Sequence, residues 1–573
     1  MTMKKKRQTA ETEEALSAAI DDRVSQLPIP IRHHILCFLS QKEAVKTCLL
    51  SKQWRHIGST RPNLEFYEEW FVNTQEKVVS VRRSTRLTRR NLNSYEKNFN
   101  STHQTFVSVV NRILQGYLDQ NLFIHKLHLR LSRPVSLPVI SLLDKWIPII
   151  AALNIKAFKL NFLSYPQPYY NLPSAGFLSE SLEELHLCKC KLSPVESMRL
   201  KCLRTLTFEY VQVDGGTLET KALGCPLLRR LVLNSCRELR NIRVSEAPGL
   251  KHFVLNDFKI IEGRSIEIDV PNLETVSIRG PWIWSHRQSA FLFSRLRSLY
   301  LNSVILSSES FDLLSFRCPT LENLTLIECS GFEEFHLASD SVKFLSILTN
   351  KIPLKGAMIC APNIITINFT ARIHQVPDTF SVATTTSKKC SSRVFLSSGE
   401  ENPYFDVNSW FLKLRRLLKA LSGFRISLIL KMNSGCLDMP WGAVDSSRLL
   451  SDEPPVVIEN LTFSTSESRT ASWHSGFTNG LFRVGRPRTI WSCAHLSQSD
   501  RNNHRLSEFQ FNILLANMSL GTEPYFWRHD LEQVHVTTLY GQLIQWTDLS
   551  ELRNRTYDRI ICLKLKWRGQ TTA

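Results

Sequence analysis

The residues with the most obvious chemical potential are a histidine and two cysteines that lie close together in the chain. His186, Cys188 and Cys190 are all side-chain types that bind zinc. Structural zinc sites need four ligands, and no second ligand pair follows at the spacing of a zinc module. The pattern therefore favours structural roles for these three side chains, and we predict no metal site.

Motifs of catalysis are missing from the sequence as well. It contains no Gly-rich phosphate loop, no His-Glu-x-x-His and no Gly-x-Ser-x-Gly. A catalytic cysteine would need a base nearby in space, which spacing along a chain cannot show. We predict a protein that is not an enzyme, with no catalytic residues and no cofactor.

The charge of the chain is strongly positive. Lysine and arginine number 71 against 52 acidic residues, which gives a formal charge of +19 and a pI near 9.4. Two clusters are local: Lys4–Arg7, and Lys77–Lys97 with seven basic residues and one acid. Such clusters act as nuclear import signals, although solvated tails and linkers have the same composition. The charge also fits an anionic partner such as nucleic acid, an acidic protein or an inositol phosphate.

The apolar segments and the cysteines indicate the cellular compartment of the protein. The N-terminus has no apolar core of a secretory signal, and the best apolar stretch, 137–153, is interrupted by Asp144, Lys145 and two prolines. The fourteen cysteines are therefore expected to be reduced thiols. We predict a protein of the nucleus and/or cytoplasm that does not bind membranes.

Residues 21–57 have the pattern of three short helices. Pro28 and Pro30 suit an extended segment and the first turn of a helix. Ser40 and Ser51 are suited to cap two further helices. The apolar residues of the first helix recur on one face: Ile31, Ile35, Phe38 and Leu39. A bundle this small buries little surface, so we expect it to be stabilised by docking on something else.

The run from Asp22 to Trp54 resembles the F-box of plant F-box/leucine-rich-repeat proteins. The features that carry the resemblance are Asp22-Arg23, Leu27-Pro28, Ile35-Leu-Cys-Phe-Leu39, Ala44-Val45 and Leu50-Ser-Lys-Gln-Trp54. The resemblance implies docking onto a Skp-type adaptor and, through it, a cullin. The adaptor-binding residues that it implies are Leu27, Pro28, Ile31, Ile35, Leu36, Leu39, Val45, Leu50 and Trp54.

Two positions depart from the F-box pattern. Ile29 stands where an acidic residue is usual, and Gln53 stands where arginine is usual. Both are expected at the polar edge of the contact, so they lower the expected affinity for the adaptor.

A repeated template, apolar-x-x-apolar-x-apolar, occupies the middle of the chain. Its copies begin at Ile124, Ile155, Leu182, Leu203, Leu228, Leu250, Leu273, Leu296, Leu321, Val342 and Ile364. From Leu182 onward the mean interval is about 23 residues, within the range of leucine-rich repeats. Because one copy cannot bury its apolar face alone, the copies must stack. We predict a right-handed solenoid over residues 120–375, with one short parallel strand per copy lining a concave surface.

Residues around the template agree with this interpretation. Three copies carry a cysteine where the repeat has Asn or Cys, and there a small polar side chain can bond neighbouring backbone: Cys190, Cys236 and Cys329. Proline stands just before five copies, where it ends the preceding element: Pro226, Pro248, Pro271, Pro319 and Pro362. Between copies, Thr217–Leu223 and Ser308–Phe316 have the composition of short helices.

The concave side of the predicted strands is the default binding surface. The target-binding candidates are Glu184, His186, Thr205, Thr207, Arg230, His252, Thr275, Ser298 and Tyr300. Their mixed chemistry favours an unknown protein target over a small substrate. Only Arg230 and His252 are clearly basic at such positions, so we predict target binding that needs no small molecule.

The last third of the chain is predicted to be α/β. Residues 376–403 are rich in Ser and Thr, which predicts a loop. Trp410–Leu421 predicts an amphipathic helix, either packed on the end of the solenoid or available to a membrane surface or nucleic acid. Strand patterns follow at Ile426–Leu430, Val456–Phe463, Leu531–Val536 and Ile560–Leu565. Either the solenoid continues with insertions or a small α/β cap closes it, and the region is loosely similar to the FBD-like region of the same family.

The predicted fold class is α/β, with a small three-helix F-box followed by a solenoid and its C-terminal continuation or cap. The predicted segments are a disordered basic tail (1–20), the F-box (21–60), a basic linker leading into a helix (61–119), the solenoid (120–375), the loop (376–403) and the α/β region (404–573).

Two functions remain open. The first is the substrate-recognition subunit of a Skp-cullin-F-box ubiquitin ligase, which holds a target beside catalytic subunits. The second is a basic leucine-rich scaffold that binds nucleic acid or an acidic partner without a ligase role. Because the sequence has no recognised nucleic-acid module, we consider nucleic acid an unlikely partner and favour the first.

Overall fold

Short strands at regular intervals dominate the fold, as the repeated template predicts. The computed structural model describes residues 26–39, 41–47, 54, 57–58, 60–71, 89–132, 136–164, 169–173, 180–192, 200–213, 217–219, 225–245, 247–257, 259, 261, 263–285, 293–306, 318–351, 353–385, 390–397, 405–432, 453–465, 471–492, 527–538, 543–546 and 560–568. The chain divides into two compact units, unit 1 (1–257) and unit 2 (258–573).

The helices and strands of unit 1 have the following bounds. The helices are α1 (Ile29–Phe38), α2 (Gln41–Thr47), α3 (Arg89–Asp119) and α4 (Leu137–Ala152). The strands are β1 (Asn63–Tyr67), β2 (Lys126–Leu131), β3 (Ala157–Phe162), β4 (Asn171–Leu172), β5 (Glu184–Cys188), β6 (Lys191–Leu192), β7 (Thr205–Glu209), β8 (Gln212–Val213), β9 (Thr217–Glu219), β10 (Arg230–Asn234), β11 (Asn241–Ser245) and β12 (His252–Asn256).

The described part of unit 2 contains further strands and two helices, with the following bounds. The strands before its first helix are β13 (Ser265–Asp269), β14 (Thr275–Arg279), β15 (Ile283–Ser285), β16 (Ser298–Asn302), β17 (Ile305–Leu306), β18 (Asn323–Ile327), β19 (Glu334–Ala338), β20 (Phe344–Thr349), β21 (Gly356–Cys360), β22 (Thr366–Arg372), β23 (Thr379–Ala383) and β24 (Ser391–Ser397). The remaining elements are α5 (Val407–Ala420), β25 (Arg425–Met432), β26 (Val456–Thr465), α6 (Ala471–Val484), β27 (Gly485–Ser492), β28 (Leu531–Thr538), β29 (Leu543–Trp546) and β30 (Ile560–Trp567). Within the described ranges of both units, no helix is long and apolar enough to cross a membrane.

A small apolar core holds the N-terminal helical module together. Leu36, Ala44, Trp54 and Ile57 are at most 4% exposed, and Leu39 packs against them. Pro30 lies in the first turn of α1, as predicted, where its missing N–H costs no helical bond. The predicted caps Ser40 and Ser51 lie outside the described residues.

A buried arginine joins this module to the repeat region. Arg61 is 2% exposed, and its Nη2 donates to the Leu39 carbonyl at the end of α1, at 2.6 Å. The Arg61 carbonyl accepts from the Tyr117 hydroxyl of α3 at 2.7 Å. Strand β1 follows directly and pairs in parallel with β2, so residues 63–67 belong to the ladder and not to a linker. The template misses this strand because charged Arg61 stands where an apolar residue is required.

The main ladder of unit 1 is parallel throughout. Its order is β1–β2–β3–β5–β7–β10–β12. Each copy of the template begins two residues before its strand, so the copy at Leu228 corresponds to β10, which starts at Arg230. Alternate strand residues face the core: Leu231 and Leu233 are both 0% exposed. The parallel pairing predicted for β10 and β12 is confirmed.

A tight turn precedes the strand in several coils. The Leu228 N–H donates to the Cys225 carbonyl at 3.1 Å, with Pro226 between them. Proline suits the second position of a β-turn because its φ is already fixed near the required value. The same bond recurs with a proline at Leu250, Leu321 and Ile364. The prolines therefore do more than end the preceding element, because they also set the turn that begins the next strand.

The backbone just after this turn sets the register between coils. The Arg204 carbonyl accepts the N–H groups of both Arg229 and Arg230, at 2.8 and 3.0 Å. In unit 2 the Glu322 carbonyl accepts those of Lys343 and Phe344 in the same way, at 2.9 and 3.0 Å. This double acceptance recurs from coil to coil, and it allows only one alignment of neighbouring strands.

The chain leaves its strands through a left-handed residue. The residues concerned are Lys189, Tyr210 and Ser235 in unit 1 and Ser303 and Glu328 in unit 2, with φ between 49° and 60°. Their N–H groups extend the ladder: that of Lys189 donates to the Glu209 carbonyl of the next coil at 2.8 Å. The strain of a non-glycine residue in this region is thus offset by a backbone hydrogen bond.

The three repeat cysteines follow these left-handed residues. Cys190, Cys236 and Cys329 are at most 4% exposed. The Cys236 thiol donates to the Phe208 carbonyl of the preceding coil at 3.7 Å, and the Cys329 thiol donates to the Leu301 carbonyl at 3.6 Å. These weak bonds link successive coils, as the repeat signature predicts for this position.

The last third of the chain both continues the ladder and closes it. In unit 2 the parallel order β14–β16–β18–β20–β22 extends through β24, β25, β26 and β27. Beyond β27 the pairing becomes antiparallel, in the order β27–β30–β28–β29. The predicted amphipathic helix is α5, whose apolar face is buried: Trp410, Phe411, Leu414, Leu417 and Leu418 are at most 2% exposed. The solenoid therefore continues as far as β27, and the antiparallel strands that follow stand where a cap was predicted.

Two local predictions need correction. The segment 376–403 contains β23 and β24, although its Ser/Thr content predicted a loop. Threonine favours strands, and the alternating Val394 and Leu396 of β24 are fully buried. Thr217–Glu219 forms β9, which pairs with β11, instead of starting a helix. The other predicted helix, Ser308–Phe316, lies outside the described residues.

Short strands also form on the return side of the coils. They make separate parallel ladders, β4–β6–β8 and β9–β11 in unit 1 and β13–β15–β17 and β19–β21–β23 in unit 2. In these coils, therefore, the chain returns largely as strand and loop.

A buried contact between Glu68 and His103 holds the segment after β1 against α3. His103 Nε2 lies 2.6 Å from Glu68 Oε1, and both side chains are at most 2% exposed. His103 Nδ1 also lies 2.7 Å from Ser136 Oγ at the start of α4. The other Glu68 oxygen accepts from the Ser132 N–H at 2.7 Å. These contacts tie β1, α3 and α4 together at the beginning of the ladder.

We expect Glu68→Ala to lower the free energy of unfolding by roughly 3–5 kcal/mol, because it leaves buried polar partners unpaired. The matched control Glu69→Ala removes a half-exposed ion pair with Arg130, at 3.6 Å, and should cost less than about 1 kcal/mol. Urea unfolding followed by circular dichroism measures both. Equal losses in the two variants would contradict this assignment.

The buried thiols should be unreactive in the folded protein. Burial raises the pKa of Cys236 and Cys318 to about 12 and that of Cys329 to about 11. We expect iodoacetamide at pH 8 to label exposed Cys360 first and these three only after unfolding, as read by peptide mass spectrometry. Since the unfolded pKa is near 9, their contribution to stability is intact below pH 9 and falls as pH rises toward 11–12. Early labelling of Cys236 would contradict its burial.

Candidate functional surfaces

The helical module presents an apolar surface to solvent. Ile29, Ile31 and Phe38 of α1 are 54%, 47% and 78% exposed, although all three are large apolar side chains. Leu36, on the side of the helix away from Ile31 and Phe38, fills the module's core. Exposed apolar residues that share one face of a small helical module are typical of an interaction site.

The implied adaptor-binding residues fall into three groups in the structure. Pro28 and Ile31 are exposed, and Leu27, Ile35 and Leu39 are half-buried. Leu36 and Trp54 lie in the core at 0% and 4% exposure, where they shape the module and leave the contact to others. Leu50 and the side chain of Val45 lie outside the described residues.

Two exposed apolar residues extend this set. Phe38 lies seven residues after Ile31, which already placed both on one helix face, and its exposure makes it the most prominent apolar side chain of α1. Ile29, where the F-box pattern usually has an acid, is also exposed, but it lies seven residues before Leu36 and therefore on a different side of the helix from Ile31 and Phe38. We define the module's contact surface as Ile31 and Phe38.

The target-binding candidates of unit 1 lie on the outward side of the ladder. Register places Glu184, Thr205, Arg230 and His252 in one row across β5, β7, β10 and β12. His186 and Thr207 lie in the next row, which continues into Val232 and Val254. The sequence brings these residues together because the regular coil length repeats the same strand position every 20-odd residues.

The candidates of unit 2 lie on equivalent outward positions. Thr275 and Ser298 share a row with Asn323 and Phe344. Tyr300 lies in the adjacent row, where the Arg279 guanidinium packs 4.7 Å from the centre of its ring. Small hydroxyl and amide side chains dominate these rows, and Phe344 is an aromatic residue that is 44% exposed.

The zinc-type residues have structural partners. His186 Nε2 lies 3.6 Å from a Glu209 carboxylate oxygen, and the Cys188 thiol donates to the Phe162 carbonyl at 3.9 Å. Within the part of the chain that the structure describes, no group of three His, Cys, Asp or Glu residues is arranged to hold a metal ion.

Glu209 belongs to a polar chain that crosses the outward side of unit 1. The nearby His186 imidazole lowers the pKa of Glu209, with a further contribution from Asn234. Asn234 Nδ2 donates to Glu209 at 3.4 Å, and Asn256 Nδ2 donates to Asn234 at 2.7 Å. The side chains of β5 to β12 are therefore held in fixed positions along this row.

Four further residues of this outward side escaped the sequence-derived set. Lys126, His128 and Arg130 project from β2, and Lys159 projects from β3. Their copies of the template begin at longer intervals than the regular ones, yet the template itself marks them. Arg230 and His252 are therefore not the only basic residues of this surface in the described part of unit 1. That the target binds without a small molecule stays a prediction.

His128 lies among these cations. Burial, followed by the charges of Lys159, Lys126, His186 and Arg130, lowers the pKa of His128 to about 4. The imidazole is therefore neutral at physiological pH. Its Nδ1 lies 3.1 Å from the Tyr67 hydroxyl, and the Arg130 guanidinium lies 5.6 Å from the centre of the Tyr67 ring.

Comparison with known proteins agrees with this architecture. The F-box domain profile matches residues 24–65. A profile described as "At1g61320/AtMIF1, LRR domain" matches residues 113–288, and one described as "FBD-associated F-box protein At5g56370, LRR repeats" matches residues 283–368. No solved structure matches the chain at a significant level.

Curated relatives come from Arabidopsis thaliana. F-box/LRR-repeat protein At4g14096 is 26% identical over 62% of this chain and 75% of its own length. Putative F-box/LRR-repeat protein At3g58880 is 30% identical over 44% and 51%, and F-box/LRR-repeat protein 13 is 24% identical over 58% and 66%. The chain is a plant F-box/leucine-rich-repeat protein. The matches to the second and third relatives span less than two thirds of those proteins.

The matched profiles show the order of the domains along this F-box/leucine-rich-repeat protein, with the F-box before the repeats. The F-box profile ends at residue 65, within β1, so the profile itself reaches into the first coil. The repeat profiles together span β2 to β22 apart from its last four residues. The FBD-like character of residues 404–573 stays a prediction.

The low pKa of His128 gives a pH-dependent stability. Its folded pKa, about 4, lies below the unfolded value near 6.5, so stability is intact above pH 6.5 and falls as pH drops toward 4. Because the ring is only half-buried, solvent screening reduces the loss to roughly 1–2 kcal/mol. We expect His128→Gln to lessen the acid-induced fall in the unfolding midpoint between pH 7 and about pH 4.5. An unchanged pH profile would contradict the assignment.

Proposed function

We propose that this F-box/leucine-rich-repeat protein is the substrate-recognition subunit of a Skp-cullin-F-box ubiquitin ligase. F-box domains generally bind Skp1-type adaptors, and the module's contact surface supplies what such binding needs. The observation that carries the proposal is the exposure of Ile31 and Phe38 on one face of a helix whose opposite side is packed by Leu36. In this proposal ubiquitin chemistry belongs to other subunits, and this chain performs none.

Burial of this surface by an adaptor would contribute favourably to the free energy of binding. Each large apolar side chain contributes roughly 1.5–3 kcal/mol when it is moved from water into a packed interface. Aromatic residues are enriched at protein interfaces. Phe38, which is 78% exposed and shares a helix face with Ile31, is therefore the expected anchor of the contact.

The connection between the F-box and the repeat is built for positioning. The Arg61 guanidinium holds the end of α1, its carbonyl is held by Tyr117, and β1 follows within two residues. A ligase receptor must hold its target at a defined place relative to the transferred ubiquitin, because proximity is what it contributes. A stiff connection meets that need better than a flexible linker.

The outward rows of the ladder are the proposed target surface. A stable protein complex buries about 800 Å² on each partner, and a ladder of seven strands in unit 1 offers an extended face of this kind. The target is a protein that is not yet identified, and we propose that it binds without a small molecule. We place this activity in the nucleus and/or cytoplasm, although the basic clusters at 4–7 and 77–88 lie outside the described residues.

The test is co-purification of the full chain with a Skp-type adaptor. We expect Ile31→Asp/Phe38→Asp to raise the adaptor Kd at least about 30-fold, since hot-spot losses reach 2 kcal/mol or more. The matched control is Phe123→Asp/Leu137→Asp, which changes two residues that are 55% and 79% exposed and lie outside the F-box. The control should bind as the wild type does.

Unfolding midpoints of both variants show whether the chain remains folded. Because all four substituted residues are exposed, we expect midpoints close to that of the wild type. Adaptor binding that survives in the Ile31/Phe38 variant, or that is lost equally in the control, would overturn the proposal.

A further inference from the structure

One edge of the unit 1 ladder gathers positive charge from residues that are far apart in sequence. Arg204, Arg229 and Lys251 occupy the position just before β7, β10 and β12, and each is aligned with the next by the shared carbonyl bonds. Arg230 and His252 follow them in the first row of the strands. We define the basic edge as Arg204, Arg229, Arg230, Lys251 and His252.

Two cations of the basic edge, Arg229 and Arg230, are not neutralised within the described part of unit 1. Glu183 begins the same row, but it lies between Lys156 at 3.3 Å and Arg204 at 3.6 Å, so it is already shared. Arg229 and Arg230 are exposed, and no described carboxylate pairs with either of them. Like charges on neighbouring strands are destabilising, so this arrangement is expected to be compensated by something outside the chain.

The equivalent row of unit 2 shows how the repeat otherwise treats this position. There the residues just before β14, β16, β18 and β20 alternate in sign: Glu274, Arg297, Glu322 and Lys343. Lys343 Nζ lies 3.4 Å from Glu322 Oε1, so that row neutralises itself. The two successive arginines of unit 1, Arg204 and Arg229, thus depart from the alternation of sign in unit 2.

We propose that the basic edge binds an Asp/Glu-rich segment of the target protein. The proposal deepens the proposed function, because it names the chemistry of the partner that the repeat region would hold. Strand spacing is about 4.8 Å, so the edge from β7 to β12 is roughly 10 Å wide, the span of three extended residues. A short acidic stretch running across the strands can therefore meet several of these cations at once.

The surroundings favour a protein segment over nucleic acid. The row beside the basic edge contains Thr207 and Val254, both partly exposed, which suits the small and apolar side chains of a peptide, and Val232 lies buried between them. A single-stranded nucleic acid stacks its successive bases on several aromatic rings, and the outward positions of β7, β10 and β12 offer one such ring, that of His252.

The experiment uses the full chain and a labelled peptide of alternating Glu and Ser, about a dozen residues long, with a Gln-Ser peptide as the neutral comparison. Fluorescence anisotropy gives the Kd of each. We expect binding of the Glu-Ser peptide that is at least about tenfold tighter than that of the Gln-Ser peptide and that weakens with added salt. Equal binding of the two peptides would overturn the proposal.

Charge reversal then locates the site. We expect Arg229→Glu/Arg230→Glu to raise the Kd of the Glu-Ser peptide at least about tenfold. The control Arg112→Glu/Arg240→Glu makes the same change in net charge at exposed residues of unit 1 outside the basic edge, and it should change the Kd less than about twofold. Arg229→Gln/Arg230→Gln, which removes the positive charges without adding acids, should fall between the two if charge is the cause. Equal effects of the edge and control variants would overturn the assignment.

Two further probes separate the alternatives. A phosphoserine-glycine peptide or a single-stranded oligonucleotide of equal charge that binds tightly, while the Glu-Ser peptide does not, would overturn the acidic-segment assignment. Adaptor co-purification of the Arg229/Arg230 variant should be unchanged. If the wild type bound the peptide but no adaptor, the ligase role would fail while the basic edge stood; the reverse result would leave the ligase role and remove the basic edge.

Discussion

The double acceptance of two N–H groups by one backbone carbonyl, repeated at the start of successive strands, is the interaction on which the rest of each ladder depends. A coil has a strand of only five or so residues, too short to bury its apolar side chains alone. The shared carbonyl allows one alignment with the next coil, so Leu203, Leu228 and Leu250 superimpose as a buried column with at most 2% exposure. The same alignment stacks the outward residues into rows, and those rows are the surfaces available for binding.

Register also explains which variations in coil length are tolerated. Intervals between copies range from 21 to 31 residues, while the strand and its flanking turns keep the same length. Extra residues are accommodated on the return side, where α4 lies between β2 and β3 and short strands lie between later coils. Insertions there leave the outward rows unchanged, because loop length has only a weak effect on stability.

The parts of the fold that depend on this periodicity could be predicted from the sequence. Every copy of the apolar template from Ile124 to Ile364 corresponds to a strand that begins two residues later. Strand β1 could not be found in this way, because the buried polar contact of Arg61 replaces an apolar one. Apolar patterns predicted the strands β28 and β30 but not their antiparallel pairing, since local patterns do not specify the direction in which distant strands pair.

The sequence predicted where the functional surfaces lie, but not which side chains form them. The F-box motifs located α1, yet helical periodicity does not say which apolar residues form the core, and the structure assigns Leu36 inward and Phe38 outward. The basic edge was not visible in the sequence because its arginines and lysine lie 22 and 25 residues apart. Only the register of the ladder makes Arg204, Arg229 and Lys251 neighbours.

The most direct test of the central claim is a structure of the full chain co-expressed with a Skp-type adaptor. The account predicts that the adaptor covers Ile31 and Phe38 of α1. Leu36 and Trp54 should remain in the module's core, and β1 should remain paired with β2. An adaptor seated elsewhere, or a complex in which Phe38 stays exposed, would contradict it.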